Sequence, residues 1–157
     1  MVEQEAPERI QPQTLGDYLE VMTKSVFQSG ISWRVVNSKW PSIRESFWEF
    51  DAERIAGISP EELDRLAQDK RVIRNRRKLE AIVGNARQMV ALESSHGGFQ
   101  QYLRSHGGFE GTVKDLRKQF KFLGEMGCYH FLYVVGEDVP SYEEWCSSRG
   151  IDRHQAR

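Results

Sequence analysis

The chain has no apolar run approaching the ~20 residues of a membrane-spanning helix. Its two cysteines, Cys128 and Cys146, stand far from any CxxC pair, and its four histidines are scattered. That excludes a zinc site built from ligand spacing, and no metal or cofactor is expected. The cysteines read as small buried apolar groups. The opening residues MVEQEAPERI are acidic and polar, which excludes a signal or transit peptide. A cytoplasmic protein is therefore expected, with residues 1–13 as a disordered arm. No alternating apolar pattern of strand length occurs. The net charge of −1 gives no global attraction to nucleic acid, so any such signal has to be local.

What remains is an ordinary globular composition, 39% hydrophobic and 29% charged in 157 residues. That suits one domain, 14–157, with a core needing no disulfide. Helix signals run through it. Thr14 stands as an N-cap with Asp17 at N3, and Leu15, Tyr18, Leu19, Met22 and Val26 follow on one face. Gly30 ends or bends that helix. A short helix is predicted from Ser32 to about Lys39, and Pro41 is placed to open a third carrying Ile43, Phe47 and Trp48. Asp51 caps a turn through Ile55. Ser59, Pro60 and Glu62 form a capping-box start for a helix to about Gln68. A long amphipathic helix then carries Leu79, Ile82, Val83, Ala86, Met89 and Val90 on one side. Beyond it "SHGGF" occurs twice, at 95–99 and 105–109. The repeat reads as two Gly-Gly turns flanking a short helix, each anchoring a Phe, rather than as a His-Gly metal or phosphate loop. Thr112 is read as the cap of the next helix. Another spans about Gly124 to Val135, and Ser141 caps a last one. The expected class is all-α, with eight to ten short helices.

One charge run stands out. Six of the nine residues from Lys70 to Lys78 are cationic: Lys70, Arg71, Arg74, Arg76, Arg77 and Lys78. A basic turn between two helices is what a helix-hairpin-helix module requires, here over about 60–91. Backbone N–H groups and a helix N-terminus meet a phosphate there, and cationic side chains add Coulomb attraction. A solvated charge run is the competing reading. Val72 and Ile73 favour the hairpin, because they can anchor it while the arginines point outward. The absence of a glycine before Gly84 weakens the motif.

Three stretches, "VFQSGISWRVV", "FDAERIAGISPEELDRLAQDKRVIRNRRKLEAIVGNARQM" and "FKFLGEMGCYHF", resemble the DNA-3-methyladenine glycosylase I family, a branch of the helix-hairpin-helix base-excision glycosylases. The resemblance runs from about Leu19 to Gly136. It implies an all-α fold of two helical lobes with a cleft between them. It further implies that the chain holds duplex DNA with a damaged base and flips that base into a pocket; a monomer is expected. By the same resemblance, Trp33 is the tryptophan that stacks on the extruded base. Ser29, Gly30 and Ile31 form the loop that enters the duplex, with Ile31 as its apolar wedge. Arg71, Arg74, Arg76, Arg77 and Lys78 contact the DNA backbone. Ser25, Gln28 and Tyr129 border the base, and Lys121–His130 lies near the pocket.

Departures from the family pattern bear on chemistry. Ser25 stands where the family keeps a glutamate that hydrogen-bonds the damaged base. The N-terminal segment has no aromatic, Cys or His, and "GEDVPSYEEW" replaces the C-terminal zinc pair, so no zinc is expected. N-glycosidic cleavage needs a water nucleophile and stabilisation of a cationic sugar. Ser25 supplies neither. The candidate catalytic groups are Glu125 and His130, whose ordinary readings are a favourable charge at a helix N-terminus and a partly buried helix residue. Glu20 falls on a different side of the first helix. The expected function is hydrolysis of the N-glycosidic bond of an alkylated purine such as 3-methyladenine, in base excision repair. The alternative is a binder of damaged or distorted DNA that does not cut. A helical interaction module without DNA function is disfavoured by the six hairpin cations.

Overall fold

The computed structural model describes residues 9–28, 32–72 and 75–148. Among these the chain is all-α, without a strand: α1 (Leu15–Gln28), α2 (Trp33–Ser46), α3 (Ala52–Ala56), α4 (Pro60–Gln68), α5 (Arg76–His96), α6 (Phe99–Leu103), α7 (Phe109–Gln119), α8 (Glu125–Val134) and α9 (Tyr142–Ser148). The expected wedge residues Ser29, Gly30 and Ile31, and Ile73 and Arg74 of the hairpin, lie outside the described residues.

Helix starts follow their caps. The Thr14 hydroxyl accepts from the Asp17 N–H at 3.2 Å, and the Asp17 carboxylate accepts from the Thr14 N–H in return. Asp51 caps α3, and Ser59 with Glu62 forms the capping box of α4. The Arg54 guanidinium and the Ser59 N–H bond the Glu62 carboxyl and lower its pKa to about 2.

Three expectations need correction. The predicted break at Lys39–Pro41 does not occur, because α2 runs unbroken through Pro41. A proline there removes one backbone hydrogen bond, but Val36, Trp40, Ile43 and Phe47 form a continuous buried face that holds the helix together. Thr112 is not a cap. It lies inside α7, buried, donating to the carbonyls of Leu103 and Gly108. Residues 9–13 are placed rather than disordered. The Ile10 N–H donates to the Val134 carbonyl at 2.7 Å, an orphan acceptor at the end of α8, and the Arg9 guanidinium donates to the Glu137 carbonyl.

The core sits around α5, which packs on α1, α3, α4 and α6, while α1 also packs on α2 and α8. Leu79, Ile82, Ala86 and Met89 are fully buried on its inner face. Between α2 and α3 the chain makes a left-handed bend, with Trp48, Glu49 and Phe50 all at φ between 53° and 58°. The bend lies so close to α1 that a Cβ on Gly16 would stand 2.1 Å from the Phe50 carbonyl oxygen, which only glycine avoids. A smaller cluster of Tyr129, Trp145 and Cys146 seats α9 on α8.

Candidate nucleic-acid interface and base pocket

The α4 helix, the basic turn and α5 form the helix-hairpin-helix unit. Val72 is buried and anchors the turn, as its position predicted. Asn75 caps α5, its side chain accepting from the Lys78 N–H. The first turn of α5 then holds Arg76, Arg77 and Lys78 and no carboxylate. This is the reverse of what a helix dipole favours, since cations at an N-terminus are destabilising and anions stabilising. An anion at this end would relieve the conflict.

The cations differ in their surroundings. Arg71 is exposed and bonded to Asp69 and Glu45; its guanidinium holds the Asp69 carboxyl below its ordinary pKa. Arg76 is exposed and paired with Asp64 and Glu80. Exposed pairs of this kind are worth about 0–1 kcal/mol, so a phosphate can replace the carboxylates at little cost. Arg77 is exposed, with its guanidinium 5.9 Å from the Phe122 ring centroid. Lys78 departs from the outward-facing expectation. It is 5% exposed, and its ammonium donates to the Phe27 carbonyl at 3.3 Å, tying α5 to the last turn of α1. Burial lowers its pKa.

Trp33 opens α2 immediately after the Ser32 cap and is 47% exposed, a large apolar surface to leave in water. Gln28 is exposed at the end of α1, and Ser25 is half-buried one turn earlier. Ser25 faces α8: a Cβ on Gly127 would meet the Ser25 Cβ at 3.8 Å. That contact orients α8. His130, three residues on, lies about 60° from Gly127 around the helix, whereas Glu125 and Tyr129 lie about 160° away. His130 therefore shares the Ser25 side and Glu125 does not. Burial pushes the His130 imidazole below its ordinary pKa, so it is neutral at neutral pH. Tyr129 is also a correction. It is buried in the smaller cluster, stacked on Trp145 at 4.6 Å, and its hydroxyl donates to the Pro140 carbonyl. Its ring is spent on seating α9, so it does not border Ser25.

Two residues not singled out by sequence reasoning belong to this region. Asn85, 2% exposed on α5, accepts from the Lys121 N–H at 2.9 Å and donates to the Lys121 carbonyl at 3.2 Å. This two-point clamp fixes the α7–α8 loop. The next residue, Phe122, is 37% exposed at φ 60°, a conformation costing about 1–3 kcal/mol for a bulky side chain. The only signal in sequence was the Phe-Lys-Phe-Leu run outside any strand, in which not every apolar side chain can turn inward.

Among the described residues no group of three or more His, Cys, Asp and Glu could hold a metal, and no helix is long and apolar enough to cross a membrane. A hollow of about 370 Å³ lined by Leu103, Arg104, Phe109, Leu132 and Glu137 includes neither Trp33 nor Ser25.

Comparison with known proteins bears on the whole arrangement. The family model for methyladenine glycosylases matches residues 13–119. DNA-3-methyladenine glycosylase of Haemophilus influenzae is 34% identical, over 69% of this chain and 70% of that protein. DNA-3-methyladenine glycosylase 1 of Escherichia coli is 32% identical over the same shares. The solved 3-methyladenine DNA glycosylase I of Staphylococcus aureus superposes with a TM-score of 0.72 at 25% identity, over 82% of this chain and 80% of that one.

Proposed function

This chain belongs to the methyladenine glycosylase family, and from that premise we propose that it is a DNA glycosylase of base excision repair. It hydrolyses the N-glycosidic bond of an alkylated purine such as 3-methyladenine after flipping the base out of duplex DNA. The observation that carries the reading is the first turn of α5, where cations crowd a helix N-terminus with no carboxylate among them. A DNA phosphate is the anion that resolves this arrangement, with Arg71, Arg76 and Arg77 as exposed contacts and Arg74 in the same hairpin. Trp33 supports a stacking role for the extruded base by its exposure beside the end of α1. The wedge role of Ser29, Gly30 and Ile31 rests on the sequence resemblance. The functional unit is the single domain 14–157, acting as a monomer on DNA in the cytoplasm.

His130 is favoured over Glu125 as the group that handles the nucleophile, because it lies nearer the Ser25 side of α8 than Glu125 does. In this scheme the C1′–N bond breaks with its electrons passing to the cationic alkylated base, which leaves neutral. Water adds at C1′ and its proton passes to the His130 imidazole. A base that already carries positive charge is a good leaving group, so Ser25 in place of a carboxylate is tolerable.

Ser25 also supports a second reading, a protein that binds damaged DNA without cutting it. Chromatography of base released from methylated duplex decides between them. Release that falls at least tenfold in His130→Gln supports the enzyme. Retained binding of methylated or abasic duplex with no release supports the binder. A gain of release in Ser25→Glu would identify the acid as the one missing part.

A further inference from the structure

We propose that Phe122 is a stacking wall for the extruded base, a second aromatic surface presented toward the DNA from the α7–α8 loop. The inference rests on the glycosylase reading above and adds to it a residue that recognises an unpaired purine.

Its placement is deliberate in physical terms. Phe120 and Leu123 on either side are 4% and 5% exposed, so the loop is firmly anchored. Between them Asn85 takes both backbone groups of Lys121, and the chain then turns through a left-handed φ that throws the Phe122 ring outward. A loop required only to connect two helices would place a glycine or a polar residue there, losing the strain and the exposed apolar surface together. The cations at 5.9 Å, Arg77 and Lys78, stand at the outer limit of a cation–π contact and return little for that cost.

The position matches the role. The Lys78 ammonium that lies 5.9 Å from the Phe122 ring is the one bonded to the Phe27 carbonyl at 3.3 Å. Phe122 thus stands where the phosphate-binding end of α5 meets the last turn of α1. The Leu123 side chain next to it comes within 3.3 Å of the Gly127 Cβ position, itself 3.8 Å from Ser25. An aromatic face here adjoins the surface that receives a flipped base. Stacking is indifferent to the exact base, because every base has a π-face.

The test compares two duplexes of one sequence with the full-length protein. One carries a single 3-methyl-3-deazaadenine, an uncharged analogue of the alkylated purine with a stable glycosidic bond; the other carries a tetrahydrofuran abasic site at the same position. Phe122→Ala and Phe122→Gly are expected to lose roughly 10-fold in affinity for the base-bearing duplex and to bind the abasic duplex as wild type does. Phe122→Trp keeps wild-type affinity for both. Phe122→Gly accepts the left-handed φ without strain, so the loop conformation is kept in this variant and a loss of binding reports the missing ring. Wild-type affinity of the Ala and Gly variants for the base-bearing duplex, with the wild-type preference for it intact, overturns the stacking role and leaves the glycosylase reading standing. Equal losses on both duplexes overturn it in favour of a contact with the duplex itself. A wild-type protein that binds neither duplex removes the glycosylase reading and this inference together.

Discussion

At its N-terminus α5 carries three cations in one turn, and at its C-terminus it ends in His96 and the left-handed Gly97. The two ends belong to one rigid helix, and both drew notice in the sequence. At the C-terminal end every special residue is answered locally. Gly97 at φ 74° caps the helix, and the Gly98 N–H reaches the Glu93 carbonyl. The His96 ring packs edge-on against Tyr102 at 5.2 Å, and His106 of the second repeat packs on the same ring at 4.9 Å. The Tyr102 hydroxyl donates to Asp115 at 2.5 Å, and burial with that bond raises its pKa. At the N-terminal end the answers are weaker, exposed ion pairs from Arg76 to Asp64 and Glu80 and one bond from Lys78 to the Phe27 carbonyl. Arg76 and Arg77 oppose the dipole, and Phe122 is strained and exposed. Local rules kept at one end and broken at the other separate scaffold from candidate site.

The largest loss of stability is expected at the scaffold end. Phe99→Ala removes a ring 2% exposed and packed on Tyr18, Tyr102 and Phe120. It is expected to cost about 3–5 kcal/mol by urea unfolding, with unchanged DNA affinity in the protein that remains folded. The site end should respond in the opposite way. Arg76→Ala with Arg77→Ala is expected to weaken duplex binding at least tenfold in fluorescence anisotropy and to lower the salt-dependence slope by about 1–2, with stability unchanged. Unchanged duplex affinity and an unchanged salt slope would make the run a solvated face.

Gly97→Ala is expected to cost about 1 kcal/mol, since open space surrounds the added methyl and only the left-handed φ resists it. His130 gives an effect that depends on pH. Its pKa is lowered by burial, so the unfolded chain takes up a proton first as pH falls below about 6.5. Stability is therefore full above that value and declines below it, and His130→Gln should flatten this acidic limb in unfolding curves at pH 7.5 and 5.5. The smallest effect on stability comes from reversing one charge. Arg77→Glu replaces a cation by an anion at the N-terminus of α5 and should raise stability by roughly half a kcal/mol while weakening duplex binding.

Much of the fold was legible. The caps at Thr14, Asp51 and Ser59 are hydrogen bonds across three residues, so the sequence contains both partners. The two SHGGF turns were readable because Gly-Gly pairs accept left-handed backbone that other residues resist. The unbroken α2 was not legible, because Pro41 is a local stop signal and the face that overrides it, Trp40, Ile43 and Phe47, gains its value from Phe27 and Phe50 packed against it. The hairpin and Trp33 were legible as candidates through charge, position and family likeness. The direction each cation takes was not.

The sequence by itself determined the all-α class, most helix starts and the kinship with methyladenine glycosylases, since these depend on residues near one another in the chain or on the order of whole segments. Only the tertiary structure decided that Lys78 turns inward to Phe27, that Tyr129 supports α9, that His130 shares a side with Ser25 while Glu125 does not, and that Asn85 holds Phe122 outward. Each of these joins residues brought together by packing, 51 apart for Lys78 with Phe27 and 36 apart for Asn85 with Lys121. No local propensity reaches that far. Burial and hydrogen-bond satisfaction in one shared core decide such contacts.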